Sequence, residues 1–262
     1  MKITLVSYNI SKSIFLQKKV EEYLNGNDDK IILLQEVPFP LNVQTSQDLF
    51  HIPESVGVEN GTIFLCSNNL KKICKSFEYR KNGSVLTTPF GKIANVHMPN
   101  MDVGKCGVNE IKRYGTIVDG FKACDDLIIV GGDFNANPFS DVMGCSEFWC
   151  AKRSIEEKPK TKNFLLNLFW SLLYIGKKTK PIGSTEIVCH TEVVSKAVYD
   201  QFLIDPKLIS KVYSYGIRQY LQKCLVDSMS AEARKYAEDY PKDYKFDGSF
   251  HYPVYLTIEL GV

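Results

Sequence analysis

No stretch of this chain reaches the about 18 consecutive apolar residues that a membrane-spanning helix requires; the nearest run, from Phe164 to Ile175, is too short. Charge of one sign is also missing, because 32 Lys and Arg face 30 Asp and Glu, a net charge of +2. A global field that would announce a polyanionic partner is therefore excluded, and any basic surface must be local. The eight cysteines (66, 74, 106, 124, 145, 150, 189 and 224) include no C-x-x-C spacing, which argues against a zinc knuckle or a redox pair. Repeats, low-complexity tracts and linker-like Pro/Gly/Ser segments are absent as well, so residues 1–262 are expected to form a single domain.

The chain opens on Met1-Lys2-Ile3-Thr4-Leu5-Val6, which reads as a strand rather than a signal peptide. Together with scattered cysteines this leads to the expectation of an intracellular, reducing setting, with thiols mostly buried. At 262 residues and 44% apolar content, a large core is within reach.

Short β-rich apolar segments recur at Ile3–Tyr8, Ile31–Leu34, Thr62–Cys66, Ile93–His97, Leu127–Gly131, Val198–Ile204 and Val254–Ile258. Several are continuous apolar runs, as expected for strands covered on both faces. Helices are expected at Ser13–Leu24, Asn109–Phe121 and Ser230–Tyr240, so helices and strands interleave. The one shift in composition lies at Lys152–Lys180, where charged residues give way to the apolar run at 164–175 and then to lysines. On a helix, Asn163, Asn167 and Ser171 would form one narrow polar stripe. Two readings stay open there: a buried helix with lysines at its ends, or an interfacial helix touching a membrane or partner through 164–175, with Trp170 at the boundary.

Ligand-capable residues sit where apolar strands end. Asn9 follows Leu5–Tyr8, Glu36 follows Ile31–Gln35, His97 follows Ile93–Val96, and Asp133 and Asn135 follow Ile128–Gly132. Side chains at one edge of a sheet converge on a common rim, so these could share a cleft. Each alone has a plain structural explanation: Asn9 as a helix cap, and Asp133-Phe134-Asn135 as a turn in which side chains bond their own backbone. Gly131-Gly132 would let the chain turn tightly before Asp133.

Taken together, Ser7-Tyr8-Asn9-Ile10, Leu34-Gln35-Glu36-Val37, Asn95-Val96-His97-Met98-Pro99, Gly131-Gly132-Asp133-Phe134-Asn135-Ala136-Asn137-Pro138, Val198–Ile204 and His251-Tyr252-Pro253-Val254 resemble the endonuclease/exonuclease/phosphatase superfamily, the DNase I-like group, in order and approximate spacing. The resemblance implies an α/β four-layer sandwich of two mixed β-sheets packed face to face and flanked by helices. It also implies a divalent-metal-dependent phosphodiesterase. Glu36, assisted by Asn9, corresponds to the ligand of Mg²⁺ or Mn²⁺, and hard cations take such oxygen donors. Asp133 corresponds to the carboxylate that activates the attacking water, and Asn135 to the amide on the phosphoryl oxygens. His97 and His251 correspond to imidazoles that contact the phosphate, with Asp200 pairing with His251 and favouring its cationic form.

One position departs from the family pattern: Ser249-Phe250-His251 stands where Ser-Asp-His is usual, and Asp247 is the nearest acidic substitute. The expected substrate is nucleic acid, handled by a monomer, with Lys105, Lys112 and Arg113 as candidate phosphate contacts. The alternatives are a phospholipid or inositol-phosphate hydrolase, for which 164–175 would supply a membrane contact, and a catalytically weakened binding protein of the same fold.

Overall fold

The computed structural model describes residues 1–11, 20, 22–24, 28–37, 61–99, 108–138, 140–144, 149–150, 164–169, 186–190, 193–217, 251 and 253–261. In chain order the strands are β1 (Lys2–Asn9), β2 (Lys30–Gln35), β3 (Ile63–Cys66), β4 (Ser76–Arg80), β5 (Gly83–Thr88), β6 (Gly91–His97), β7 (Leu127–Asp133), β8 (Trp149–Cys150), β9 (Leu165–Asn167), β10 (Glu186–His190), β11 (Val193–Ala197), β12 (Asp200–Ile204), β13 (Val212–Ile217) and β14 (Val254–Glu259).

One sheet has the order β13-β14-β1-β2-β3 and a second β4-β5-β6-β7-β12-β9-β8, while β10 and β11 pair as a separate hairpin. Both large sheets are mixed, since β1 runs parallel to β2 and β6 parallel to β7 among otherwise largely antiparallel neighbours. A parallel pair needs a crossover. The helix Val108–Lys122 supplies it between β6 and β7, and helical residues at 20 and 22–24 lie between β1 and β2.

Period-two alternation sorts the apolar residues into three layers of packing. Ile3, Leu5, Ile31 and Leu33 from the first sheet meet Leu86, Ile93, Ile129, Phe202 and Ile204 from the second, forming the core between the sheets. Val6, Tyr8, Ile32 and Leu34 face outward and are covered by Val20 and Leu24. Ala94, Val96 and Val130 face the other way, under Tyr114, Ile117, Val118 and Phe121 of the crossover helix. Strands buried on both faces explain why the sequence shows continuous apolar runs instead of alternation. The architecture is the expected α/β sandwich of two mixed sheets with helical residues on both outer faces.

Two expectations are corrected. Residues 164–168 are not helical: Leu165–Asn167 is β9, paired with β12 in the register Leu203↔Asn167, and Leu165, Leu166 and Asn167 are all buried. An apolar run of this length has no periodicity that separates a buried strand from a buried helix. Here Asn167 settles the competition, because its amide bonds the Gln201 side chain and the Phe169 backbone. The interfacial helix, and with it the membrane or partner contact through 164–175, is thereby overturned in its first half; residues 170–175 lie outside the described residues. Second, β7 runs on past the expected Gly131 to Asp133, so Gly131-Gly132 makes no turn before Asp133. A Cβ on Gly131 would lie 2.3 Å from the Phe202 ring, and one on Gly132 (φ +150°) would lie 2.0 Å from the Val96 carbonyl oxygen, so these glycines permit close approach.

The sequence reading missed β4 and β5, the hairpin β10–β11, and β13, which adds an edge strand within the long segment after Asp205. The expected helix at Ser230–Tyr240 and most of that at Ser13–Leu24 lie outside the described residues, as do Lys105, Asp247 and Phe250. Cys66 and Cys124 are buried free thiols, and Cys74 is a half-buried one. Among the described residues, no helix is long and apolar enough to cross a membrane.

Candidate active site

Along each central strand, the face that points between the sheets turns from apolar to polar at the same end of the sandwich. On β1 the series is Ile3, Leu5, Ser7, Asn9; on β2, Ile31, Leu33, Gln35; on β6, Ile93, Asn95, His97; on β7, Ile129, Gly131, Asp133. β12 runs the other way, so its first residue, Asp200, reaches that end. Register aligns these positions directly: Asn9 sits beside Gln35, His97 beside Asp133, and Asp200 beside Asp133.

Beneath the rim lies a buried layer of amides. Gln35 Nε2 donates to Ser7 Oγ at 3.2 Å and to Asn95 Oδ1 at 2.6 Å, while Asn95 Nδ2 donates to the carbonyls of Leu34 and Ile63 at 2.9 and 2.8 Å. The three that involve Asn95 join the two sheets. Desolvated amides are tolerable only when bonded, and each net bond contributes about 1 kcal/mol.

Above this layer the expected site residues meet. Asn9 Nδ2 donates to Glu36 Oε1 at 3.1 Å and to Asp133 Oδ2 at 3.0 Å, so one amide bridges carboxylates of different sheets. His97 Nε2 lies 3.6 Å from Glu36 Oε1 and 3.7 Å from Asp133 Oδ2. Asp133 Oδ1 accepts from the Asn135 backbone N–H at 2.8 Å, and Asn135 Nδ2 donates to the Met98 carbonyl at 2.8 Å. His251 Nδ1 and Asp200 Oδ2 are 2.8 Å apart, both buried. With Nδ1–H donating to the carboxylate, Nε2 is the nitrogen left for a ligand. All seven predicted site residues thus lie at one end of the sandwich.

The plain reading of the Asp133 turn holds as well, while the start of the helix that Asn9 would cap lies outside the described residues. Asn9 Oδ1 accepts from Ser11 N at 3.0 Å, and Asp133 Oδ1 from Asn135 N, so both residues form side-chain turns over their own backbones. This also fixes how Asn9 faces the site: it presents its N–H₂ group, not its oxygen, to the carboxylates. Acting as a metal ligand would require its amide to turn over.

Strain is concentrated here. Glu36 and Asn135 have φ of +50° and +47°, left-handed values that cost a non-glycine residue about 1–2 kcal/mol. At Glu36 the reversal lifts the side chain off the strand path and toward Asn9 and His97.

Sequence reasoning missed the supporting layer of Ser7, Gln35 and Asn95, although their period-two placement below Asn9 and His97 was a readable signal. It also missed Tyr8, whose phenol is pushed far above its ordinary range by burial and, secondarily, by the Asp200 carboxylate. Gln201 was missed too: its side chain holds the Ala136 and Val198 carbonyls and so anchors the loop after Asp133.

Whether the site suits a divalent cation turns on its donor set. Asp133, Asp200 and His251 place ligand atoms within 4.8 Å of one another, all three buried, and Glu36 adds a carboxylate bridged to Asp133 through Asn9. Buried carboxylates at such density repel one another unless a cation or protons intervene, so the residues fit a hard metal ion.

No protein-family model matches the chain, and no curated protein matches it significantly in sequence. Solved structures do match along its length. A 3′ phosphatase, NExo, from Neisseria, bound to a product DNA hairpin, superposes with a TM-score of 0.55 at 15% identity, covering 99% of each chain. The 3′-5′ exonuclease NExo from Neisseria meningitidis gives 0.54 at 17% identity over 99% of this chain and 100% of that one. An AP endonuclease from Archaeoglobus fulgidus gives 0.56 at 11% identity over 98% and 100%. The chain has the DNase I-like fold. In this DNase I-like sandwich, the parallel pairs β1/β2 and β6/β7 deliver the polar groups to one end, as the sequence motifs led one to expect.

Proposed function

We propose that the protein is a divalent-metal-dependent phosphodiesterase that hydrolyses nucleic acid, with Asp133 as the base for the attacking water. One observation carries this reading: Asp133, supplied by one sheet, is held by Asn9 from the other, by the Asn135 backbone and beside His97, next to the Asp200–His251 pair. Both Asp133 oxygens accept hydrogen bonds, which aim the carboxylate for its role of taking a proton from water. His251, fixed through Nδ1 by Asp200, is oriented to offer Nε2–H to a phosphoryl oxygen, and His97 and the Asn135 amide are the other donors at the rim.

Glu36, assisted by Asn9 once its amide turns over, is the group that would hold Mg²⁺ or Mn²⁺ beside Asp133. When bound, the cation would offset charge on the phosphoryl oxygens and the leaving oxygen. Nucleic acid is favoured as substrate because the three structural neighbours are a 3′ phosphatase bound to a product DNA hairpin, a 3′-5′ exonuclease and an AP endonuclease, and because Lys112 and Arg113 lie exposed early in the crossover helix, which starts near the His97 end. The phospholipid alternative loses the first half of its expected membrane helix, because Leu165–Asn167 is strand β9. The degraded-site alternative rests on Phe250, which lies outside the described residues.

The test is hydrolysis of labelled single- and double-stranded DNA and RNA, including 3′-phosphorylated ends, with Mg²⁺ or Mn²⁺ and with chelator. Cleavage that needs the metal and disappears in both Asp133→Ala and His251→Ala is expected. Full cleavage in both variants, or in chelator, overturns the proposal.

A further inference from the structure

At the opposite end of the sandwich, a cavity of about 880 Å³ opens between the β5–β6 turn, the start of β7 and the 3-10 helix Pro206–Lys211. β6 begins there at Gly91 and ends at His97 in the active site, so roughly 20 Å of strand, at about 3.3 Å per residue, separates the two. Nothing in the proposed hydrolysis uses this place.

Five lysines line the cavity: Lys75, Lys92, Lys122, Lys207 and Lys211. They come from four separate segments, Lys207 and Lys211 sharing the 3-10 helix, and four of them, all but Lys92, are exposed. Only two acids, Asp126 and Asp205, share the lining. Asp205 is already engaged, its Oδ1 accepting from the Lys207 backbone N–H at 2.8 Å as the cap of the 3-10 helix. None of the five ammonium groups takes part in an ion pair among the described residues. Converging, unneutralised lysines repel one another, and a concave wall focuses their field, so the cavity favours an anion with several charges.

The floor has a different character. Leu127 and Leu165 are buried there, and the rings of Phe90 and Phe164 stand half-exposed at the wall. Its volume lies within the about 300–1,000 Å³ of small-molecule sites. A lysine rim above an aromatic and aliphatic wall matches a ligand with a flat apolar part and a polyphosphate part. We propose that this cavity binds a nucleoside polyphosphate, its phosphates among Lys92, Lys122, Lys207 and Lys211 and its base against Phe90 and Phe164.

The experiment is calorimetric titration of the full chain with ATP and GTP in chelator, which silences metal-dependent hydrolysis. Wild type is expected to bind, and Lys122→Glu/Lys207→Glu/Lys211→Glu to bind at least about tenfold more weakly, because three charges are reversed. These lysines are exposed and unpaired, so folding should persist; a melting curve checks it, and the milder Lys→Gln triple variant, expected to weaken binding less, stands in if it does not. Phe90→Ala should weaken ATP more than inorganic triphosphate, whereas His251→Ala should leave both affinities within about twofold. Four outcomes overturn the proposal: no binding at millimolar ATP, binding lost in His251→Ala but kept in the lysine variants, inorganic triphosphate binding as tightly as ATP, or a single-stranded oligonucleotide binding through these lysines while ATP does not.

Discussion

Where β6 and β7 deliver His97 and Asp133, each described charged group of the site has a partner within 3.7 Å, whereas the five lysines around the cavity at their other end have no ion-pair partner among the described residues. The same strands therefore end in two different electrostatic states. At the first end acids and imidazoles are buried, crossed by hydrogen bonds and strained in the backbone; at the second, like charges stand largely in solvent. Buried, bonded groups set geometry, and substitution there changes both chemistry and stability. Exposed like charges set a field, and substitution there changes binding while barely touching the fold.

The contrast breaks most sharply at Asp133. Asp133→Ala should lower kcat by on the order of 10³-fold or more, within the range for loss of a general base, as read in single-turnover DNA cleavage. Next comes the Asp200–His251 pair. Each of His251→Ala and Asp200→Asn should cost about 10²-fold in kcat, and the double variant little more than His251→Ala alone, because Asp200 acts through the imidazole. Independent, multiplying losses would show that Asp200 works on its own.

Asn95→Ala removes three inter-sheet hydrogen bonds and strips Gln35 of its shortest partner, for a loss of about 2–3 kcal/mol in urea denaturation. A loss near zero would mean that the amide layer is only space-filling. The smallest effect belongs to the other end. Lys122→Gln/Lys207→Gln should raise stability by no more than about 0.5 kcal/mol at low salt, with the gain vanishing in high salt as screening removes the repulsion. A destabilisation there would reveal partners that the lysines need.

Most of the inner strands were legible in the sequence because burial on both faces writes itself as unbroken apolar runs, as in Ile31–Leu34. The site was legible for a related reason: Asn9, Glu36, His97 and Asp133 interrupt such runs at their ends, and the flanking motifs resemble a known family. β9 was misread, since Phe164–Phe169 is equally apolar whether extended or helical and only Asn167 with its distant partner Gln201 decides. The β4–β5 hairpin was missed despite a local signal, Asn82 before Gly83, with Asn82 at φ +59° in the two-residue turn. The lysine cavity could not be read at all, because its charges are scattered from residue 75 to residue 211 and meet only after folding.

Asn9 and Glu36 are supplied by one sheet, Asp133 and His97 by the other, so the proposed catalytic groups straddle a seam. Catalytic competence then acts as a gauge of sheet alignment. A slip of about one ångström would part Asn9 from Asp133 while leaving the greasy middle of the sandwich almost as well packed, since hydrogen bonds have narrow distance limits and hydrophobic contact does not. On heating, turnover should consequently fade before the strands come apart.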